Sequence, residues 1–220
     1  MNRNKFLSLI RLSFIGTFFF AAKKKKANEF LTDCDDPITP PVPEGPFYKD
    51  EKLNRADITE HKKGALIEYV FRVEDKHYKP IEGAIVDIWQ CDAEGHYSDF
   101  EQEKTGNQTW LRGYQKTDAK GECRFTSIFP GWYPLRITHV HAKVRLNNGN
   151  VLTTNLFFHK EIEDEIFKNP LYPKGPNPIA LSEDVELRVD KDTKRHDTLI
   201  MKVVKDAKGK LTGTYTFAVV

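Results

Sequence analysis

The stretch ITHVHAKVRL, residues 137–146, alternates aliphatic side chains with polar or charged ones. Successive side chains of a β-strand point to opposite faces, so His139 and His141 would share one face and the aliphatic residues between and after them the other. Burying an imidazole costs more free energy than burying an aliphatic group. The stretch therefore predicts a strand with one face in a hydrophobic core and two histidines side by side on the other.

Further stretches of the same character surround this strand. Each is rich in β-branched or aromatic residues and is bounded by Gly, Asp, Asn or Pro. They cover residues 65–75, 83–92, 121–130, 151–159, 184–190, 197–206 and 213–220. Tight turn signals separate them, and residues 161–170 form the one helical pattern. This organisation predicts an all-β fold, an antiparallel β-sandwich of the prealbumin-like Greek-key type with one short helix.

The N-terminal region is set apart by its composition. Residues 1–30 begin with basic side chains and continue into an apolar stretch from Phe14 to Ala22, a pattern typical of a secretory signal and short for a membrane span. We expect residues 1–30 to be a targeting segment, residues 31–220 to form one domain, and the chain to be exported; a cytoplasmic chain is the alternative. The prolines of residues 36–48 exclude a helix and predict an extended arm.

Charge and cysteine content exclude some functions. The net charge is only +2, so no strong basic field exists to hold a nucleic-acid backbone. The three cysteines, Cys34, Cys91 and Cys123, show no spacing typical of a zinc site, and at least one stays unpaired within a monomer. We expect no nucleic-acid partner and no stable membrane span in the mature chain, and a homo-oligomer remains open.

Two histidines at positions i and i+2 of a strand can offer their nitrogens to one metal ion. Taken alone, the pair fits a solvated polar face equally well. Two tyrosines lie in turns, Tyr97 within DAEGHYSD and Tyr133 within PGWYPLR. Each could instead cap a core with its ring inside and its hydroxyl outside. The residues by themselves therefore leave a metal site and a structural role open.

Four motifs in one order carry a resemblance to a known family. They are TPPVPEGPFY, GAIVDIWQCDAEGHYSDF, RGYQKTDAKGECRFTSIFPGWYPLRITHVH and LTTNLFF. Together they span about residues 34–160 and resemble the intradiol ring-cleavage dioxygenases, the group that cleaves catechol, hydroxyquinol and protocatechuate. The short spacing between Tyr133 and the histidine pair is most similar to the short, exported branch of that family.

The resemblance implies a non-haem ferric ion, Fe(3+), bound by two tyrosinates and two histidines. Position by position, the implied ligands are Tyr97, Tyr133, His139 and His141. Phenolates are hard anionic donors that suit a trivalent ion, which can remove a tyrosine proton well below the free pKa of about 10. Two phenolates and a hydroxide would balance the charge of the ion, which allows a dry pocket.

The resemblance also implies an activity, in which O2 opens the ring of a catechol-type diol between its two hydroxylated carbons to give a muconate-type diacid. Arg136 would stabilise charge on the substrate, and Tyr133 would act as a base. Asn155 stands where the family usually has glutamine, which changes the reach of this amide in the substrate pocket. Tyr48 and Trp132 are expected to wall the pocket.

Two other functions fit parts of the sequence. In one, a non-enzymatic β-sandwich module binds copper or zinc, or another ligand, through His139 and His141. In the other, a degenerate dioxygenase serves as an interaction scaffold. The substrate's identity is left open, although residues 100–115 read as a pocket loop from which Lys104, Arg112 or Tyr114 could meet a ring carboxylate or hydroxyl.

Overall fold

The structure, a computed structural model, describes residues 38–188 and 193–220. The predicted targeting segment, residues 1–30, and Cys34 lie outside these ranges, so the expected export of the chain stays a prediction. None of the helices within the described ranges is long and apolar enough to cross a membrane.

Within the described residues, eight β-strands carry the fold, with two short α-helices and two single-turn 3₁₀ helices between them. The strands are β1 (Leu66–Asp75), β2 (Ile85–Trp89), β3 (Arg112–Lys116), β4 (Glu122–Ile128), β5 (His139–Arg145), β6 (Val151–Phe158), β7 (Ile200–Lys205) and β8 (Leu211–Val219). The helices are α1 (Lys160–Ile166) and α2 (Thr193–Asp197), and the 3₁₀ turns are Glu101–Glu103 and Leu181–Glu183.

The strands form one mixed sheet in the order β3-β2-β5-β6-β7-β8-β1-β4. The expectation of an all-β fold is correct, but the antiparallel Greek-key sandwich is wrong. Strands β1 and β8 run parallel over nine residue pairs, and β6 pairs with β7 in parallel. Strand patterns in a sequence specify which residues are extended, whereas the choice of partner depends on contacts between distant segments.

The two ends of the sheet approach each other, so that the sheet is nearly closed into a barrel. The segment from Leu53 to Ile58 connects them, because it hydrogen-bonds to both edge strands. The amide of Tyr114 in β3 donates to the carbonyl of Leu53 at 2.8 Å, and the amide of Ile58 donates to the carbonyl of Thr126 in β4 at 3.0 Å. Covering both edges in this way protects unpaired backbone groups from other chains.

Two local assignments from the sequence also fail. Residues 184–188 form a turn rather than a strand, and residues 189–190 of that stretch lie outside the described ranges. Conversely, the end of the expected pocket loop over residues 100–115 is part of strand β3. This edge strand carries Arg, Gln and Lys, so its apolar signal is weak.

Strand β5 separates two environments. Its aliphatic face packs into the main core, which includes Val86, Ile88, Val140, Ala142, Val144 and Leu156. Its histidine face adjoins a smaller aromatic cluster of Trp89, Cys91 and Tyr97. The proline arm is extended as expected and is tied to β6, since the amide of Val42 donates to the Thr153 carbonyl at 3.0 Å. The arm and the aromatic cluster together enclose the histidines.

Candidate metal centre

The four side chains that the sequence proposes as ligands meet at one point beside β5. Nε2 of His139 lies 3.1 Å from Nε2 of His141, 3.2 Å from the Tyr133 hydroxyl oxygen and 3.5 Å from the Tyr97 hydroxyl oxygen. Both histidines and Tyr97 are buried, whereas Tyr133 is half-buried. The structure thus brings together side chains from three segments, and their role as metal ligands stays a prediction.

A tight loop after β2 carries Tyr97 into the centre. The Asp92 carboxylate accepts hydrogen bonds from the amides of Glu94 and His96 at 3.0 Å each, which closes the turn. Gly95 has a φ of +85°, and a Cβ there would lie 2.3 Å from the carbonyl oxygen of Trp132. Only glycine fits this approach, which sets the Tyr97 loop directly against the segment that carries Tyr133.

A second turn presents Tyr133. The amide of Arg136 donates to the Tyr133 carbonyl at 3.3 Å, and the intervening Leu135 has a φ of +71°. The Trp132 indole nitrogen donates to the carbonyl of Gly175 at 2.8 Å, which fixes the preceding residue. The backbone on both sides of Tyr133 is therefore fixed, which holds its half-buried side chain beside His139.

Arg136, the proposed catalytic cation, lies in a buried network. Its Nε contacts both carboxylate oxygens of Asp184, at 2.9 and 3.0 Å, and its Nη2 donates to Oδ1 of Asn155 at 2.6 Å. The Asn155 amide nitrogen lies 2.9 Å from Nδ1 of His141. The shorter amide that replaces the family glutamine thus spans from the guanidinium group to one proposed ligand.

Sequence reasoning missed Asp184, which is fully buried. Besides Arg136, its carboxylate accepts the amides of Ile137 at 2.8 Å and Glu186 at 2.9 Å. The residue lies 48 positions after Arg136 along the chain, within the stretch that was expected to be a strand. No local pattern of the sequence could have indicated this contact.

Phe47 of the arm covers the centre, and the sequence analysis did not single it out. Its ring stacks on Tyr97 with centroids 4.1 Å apart and meets the Tyr133 ring edge-on at 5.7 Å. Arg112 holds the arm in place, because its Nη1 donates to the Phe47 carbonyl at 2.7 Å. The adjacency of Phe47 to Tyr48 in the motif GPFY was the available signal.

The other proposed pocket residues lie further out. The Tyr48 hydroxyl donates to the Asp87 carboxylate at 3.1 Å, and its ring lies 4.8 Å from that of Trp89. Trp89 in turn stacks on His141 with centroids 4.7 Å apart. Tyr48 therefore contacts the centre only through Trp89, and its partner Asp87 is buried. The pocket roles of Tyr48 and Trp132 stay predictions.

Arg112 differs from the expectation that it could meet a substrate carboxylate. It is buried, and its Nε and Nη2 donate to the hydroxyl and carbonyl of Ser98 at 2.8 Å each. Together with the bond to Phe47, these contacts make it a clamp between the arm and the Tyr97 loop. Lys104, another candidate from the same stretch, is exposed.

Burial sets the protonation of the four side chains. It raises the pKa of the Tyr97 phenol well above its usual range and that of Tyr133 to about 12. It lowers the pKa values of His139 and His141 well below their usual range. Without a bound cation both phenols are protonated and both imidazoles are neutral, so the centre carries no charge of its own. Such a set suits a hard cation of high charge, which can displace phenolic protons.

A metal ion at this centre would need the two tyrosine hydroxyl oxygens as ligands in addition to the two histidines. Within residues 38–188 and 193–220, no group of three or more His, Cys, Asp or Glu side chains is placed to hold a metal ion. A copper or zinc site on His139 and His141 alone would lack the third imidazole or sulfur donor that these ions favour. The donor set therefore fits ferric iron better than the copper or zinc module considered from the sequence.

Comparison with known proteins finds relatives among the dioxygenases. A family model described as Dioxygenase matches residues 41–173, more than half of the chain. Hydroxyquinol 1,2-dioxygenase from Corynebacterium glutamicum is 26% identical over 149 residues, 56% of this chain and 48% of that protein. Catechol 1,2-dioxygenase 1 from Acinetobacter lwoffii is 27% identical over 139 residues, 53% of this chain and 45% of that protein. The chain spans about half the length of the curated relatives it matches.

One solved structure matches a larger share of this chain and nearly the whole of its own length. The intradiol ring-cleavage dioxygenase from Tetranychus urticae superposes with a TM-score of 0.73 at 29% identity, covering 82% of this chain and 93% of that chain. The chain belongs to the intradiol ring-cleavage dioxygenase family.

Proposed function

We propose that this chain is a non-haem Fe(III)-dependent intradiol dioxygenase. It would use O2 to open the ring of a catechol-type substrate between its two hydroxylated carbons and release a muconate-type diacid. The observation that carries the proposal is the approach of both phenol oxygens to within 3.5 Å of Nε2 of His139, beside His141. The matching relatives supply further support, since they are catechol and hydroxyquinol 1,2-dioxygenases.

The iron would be held by the four converging side chains. They are Tyr97, Tyr133, His139 and His141. Bound Fe(III) would act as a Lewis acid that draws the diol into the site and makes its ring reactive toward O2. Burial of the two imidazoles keeps them neutral and ready to donate lone pairs, because their pKa values are lowered well below the usual range.

Tyr133 is suited to the role of the base. It is the most exposed of the four side chains, and it begins the turn that the Arg136 amide closes by donating to the Tyr133 carbonyl. Burial raises the pKa of its phenol to about 12 when no cation is bound, so a phenolate at this position that is not bound to a cation would hold a proton strongly. A proton on an entering hydroxyl would therefore move toward the Tyr133 oxygen.

Arg136 would bind and orient the substrate. Asp184 and Asn155 fix two of its three nitrogens, so the guanidinium group is held in one orientation before substrate enters. Preorganised donors of this kind stabilise developing negative charge without reorganising during the reaction. Phe47, stacked on Tyr97, would exclude water from the same space.

Product analysis tests the proposal directly. Protein reconstituted with iron should consume one O2 per catechol and release cis,cis-muconate, the product of cleavage between the hydroxylated carbons. Tyr133→Phe should retain most of the iron and lose at least about 100-fold in turnover, because the base is removed. Tyr78→Phe is the matched control, since Tyr78 is exposed in the turn after β1.

An extradiol product, or full turnover by Tyr133→Phe, would contradict the proposal. The non-enzymatic alternative predicts no O2 uptake with any catechol. It also requires Tyr97 and Tyr133 to be bystanders, which their contacts with His139 argue against.

A further inference from the structure

The orientation of the Asn155 side-chain amide is fixed by the groups on either side of it. Nη2 of Arg136 lies 2.6 Å from Oδ1 of Asn155, and a guanidinium nitrogen can only donate a hydrogen bond. The amide oxygen therefore faces Arg136, and the amide nitrogen faces Nδ1 of His141 at 2.9 Å. Because the NH2 group of an amide is a donor, Nδ1 of His141 accepts this hydrogen bond.

The two histidines consequently carry their protons on different ring nitrogens. A neutral imidazole has one N–H group, so His141, which accepts at Nδ1, is protonated at Nε2. In His139 the order is reversed, since Nδ1 lies 2.6 Å from the carbonyl oxygen of Ile137, and a carbonyl oxygen can only accept. The 3.1 Å contact between the two Nε2 atoms fits this arrangement, because Nε2 of His141 donates and Nε2 of His139 accepts.

Only one of the two imidazoles is therefore ready to bind a cation. Nε2 of His139 has an available lone pair, whereas Nε2 of His141 carries a proton. Trp89 stacks on His141 with ring centroids 4.7 Å apart and an interplanar angle of 8°, which holds the ring in its plane. A cation at Nε2 of His141 requires the tautomer that is protonated at Nδ1, and this Nδ1–H group would face the Asn155 NH2 group, donor against donor.

Turning the Asn155 amide over removes that conflict. A half-turn about the terminal side-chain bond directs Oδ1 toward Nδ1–H of His141. Metal-binding histidines usually donate their second ring N–H to an oxygen acceptor of this kind. The same half-turn directs the NH2 group toward Arg136, so Nη2 loses its acceptor. Asp184 still holds Nε of Arg136, at 2.9 and 3.0 Å, and keeps the guanidinium group anchored.

We propose that Asn155 is a positioning residue that reverses its side-chain amide when a cation occupies the centre, and that this reversal releases Nη2 of Arg136 to donate to an oxygen of the substrate. The inference rests on the metal centre of the function proposed above. It adds a coupling between the loading of that centre and the availability of Arg136. Without a cation the amide joins Arg136 to His141, and with a cation it supports His141 alone.

Nitrogen NMR of the histidine side chains tests the reversal directly. Ga(III) is the probe, because it is diamagnetic and carries the same charge as Fe(III). Without the ion, isotope-labelled protein should show His139 protonated at Nδ1 and His141 protonated at Nε2. Once Ga(III) is bound, His141 should be protonated at Nδ1. A His141 that is already protonated at Nδ1 without the ion, or that has no proton on Nδ1 after loading, would overturn the inference.

The variant Asn155→Asp provides a second test. A carboxylate accepts hydrogen bonds at both oxygens, so it can satisfy Nη2 of Arg136 and Nδ1–H of His141 together without any rotation. The variant should therefore bind Ga(III) at least about tenfold more tightly than the native protein, measured by competition with a chelator. A role for Asn155 limited to packing predicts equal or weaker binding, and either result would contradict the coupling.

Asn177→Asp is the matched control. Asn177 is also buried, and its Nδ2 donates to the backbone carbonyl of Arg136 at 3.0 Å and lies 3.4 Å from the hydroxyl of Thr138, rather than contacting a proposed ligand. The control should leave the affinity for Ga(III) unchanged or reduce it. An equal gain in both variants would show that added negative charge, and not the position of Asn155, increases the affinity, which would also overturn the inference.

Neither measurement involves catechol or O2, so the inference and the proposed function fail separately. If the tautomer of His141 changes as expected but the iron-loaded protein cleaves no catechol, the function fails and the inference stands. If catechol is cleaved between its hydroxylated carbons and the tautomer does not change, the function stands and the inference fails. A protein that binds neither Ga(III) nor Fe(III) would overturn both.

Discussion

The two faces of strand β5 are both buried, yet they meet different chemical demands. On one face Val140 and Ala142 pack into the main core, where volume and apolar character are the requirements. On the other face His139 and His141 meet the two tyrosine hydroxyls and the amide of Asn155 at defined distances. The first face holds the fold together, whereas the second depends on particular atoms in particular places.

Two buried carboxylates, those of Asp184 and Glu163, also differ in how closely they are paired. Asp184, near the histidine face, contacts Arg136 and two backbone amides. Glu163 of α1 is also fully buried and lies near Thr138, just before β5, but its ion pair is a long contact of 3.9 Å with the exposed Lys160. A carboxylate with close partners remains charged at little cost, whereas a weakly paired one favours its protonated form.

The largest expected difference between the faces concerns iron. His139→Ala removes a proposed ligand, so the affinity for Fe(III) should fall more than about 100-fold while the fold is kept. Val140→Ala, one residue away on the opposite face, should retain iron and lose about 2 kcal/mol of unfolding free energy. Metal titration and denaturant unfolding of both variants measure the two effects.

Two results would contradict the different roles assigned to the two faces of β5. If Val140→Ala released the iron, or if His139→Ala bound iron as the native protein does, the assignment of the two faces would be wrong.

A smaller effect is expected when the paired carboxylate is neutralised. Asp184→Asn leaves the buried Arg136 guanidinium uncompensated, so the free energy of unfolding should fall by about 3 kcal/mol. The fixed orientation of Arg136 should also be lost, and kcat should fall at least about tenfold per folded molecule. Chemical denaturation and steady-state kinetics measure the two effects. A purely structural role for Asp184 predicts a loss of stability with kcat unchanged, which would contradict its positioning of Arg136.

The last effect concerns the weakly paired carboxyl group of Glu163, whose replacement should stabilise the protein at high pH rather than destabilise it. Burial raises the pKa of Glu163 to about 7 from a usual value of 4.5, against the lowering influence of Thr138 and Lys160. Because ionisation is harder in the folded state, the native protein should lose stability as the pH rises from about 4.5 through about 7, by at most about 3 kcal/mol.

Glu163→Gln removes this titration. The variant should therefore be more stable than the native protein at pH 8 and nearly equal to it at pH 4. Thermal unfolding across this range provides the measurement, with Glu161→Gln as a control at an exposed position of the same helix. A native protein whose stability is flat between pH 4.5 and 8 would show that Glu163 is already satisfied in the fold.

The sequence predicted the strands better than their arrangement. The alternation in residues 137–146 located β5 and both of its faces, because the period of a strand is a local property. The parallel pairing of β1 with β8 joins segments far apart in the chain, and no local pattern specifies it. The nearly closed barrel depends on that pairing and on the segment from Leu53 to Ile58, so the sandwich was the wrong inference.

The residues of the candidate site also divide into those that the sequence predicted and those that it did not. The two histidines could be predicted from the strand period, and the two tyrosines from the family motifs that surround them. Asp184 could not, since it reaches the centre through contacts between distant segments, and the one signal for Phe47 was its adjacency to Tyr48 in the motif GPFY. The sequence also did not predict that Arg112 connects the arm to the Tyr97 loop, because its partners Phe47 and Ser98 lie on separate loops.

The central claim is that two phenolates and two imidazoles bind one ferric ion, and the visible spectrum of the iron-loaded protein tests it most directly. Elemental analysis should give one iron per chain, accompanied by a red-brown tyrosinate-to-iron charge-transfer band. Tyr97→Phe should weaken and shift that band. A colourless protein that binds iron, or a band that neither Tyr97→Phe nor Tyr133→Phe alters, would contradict the account.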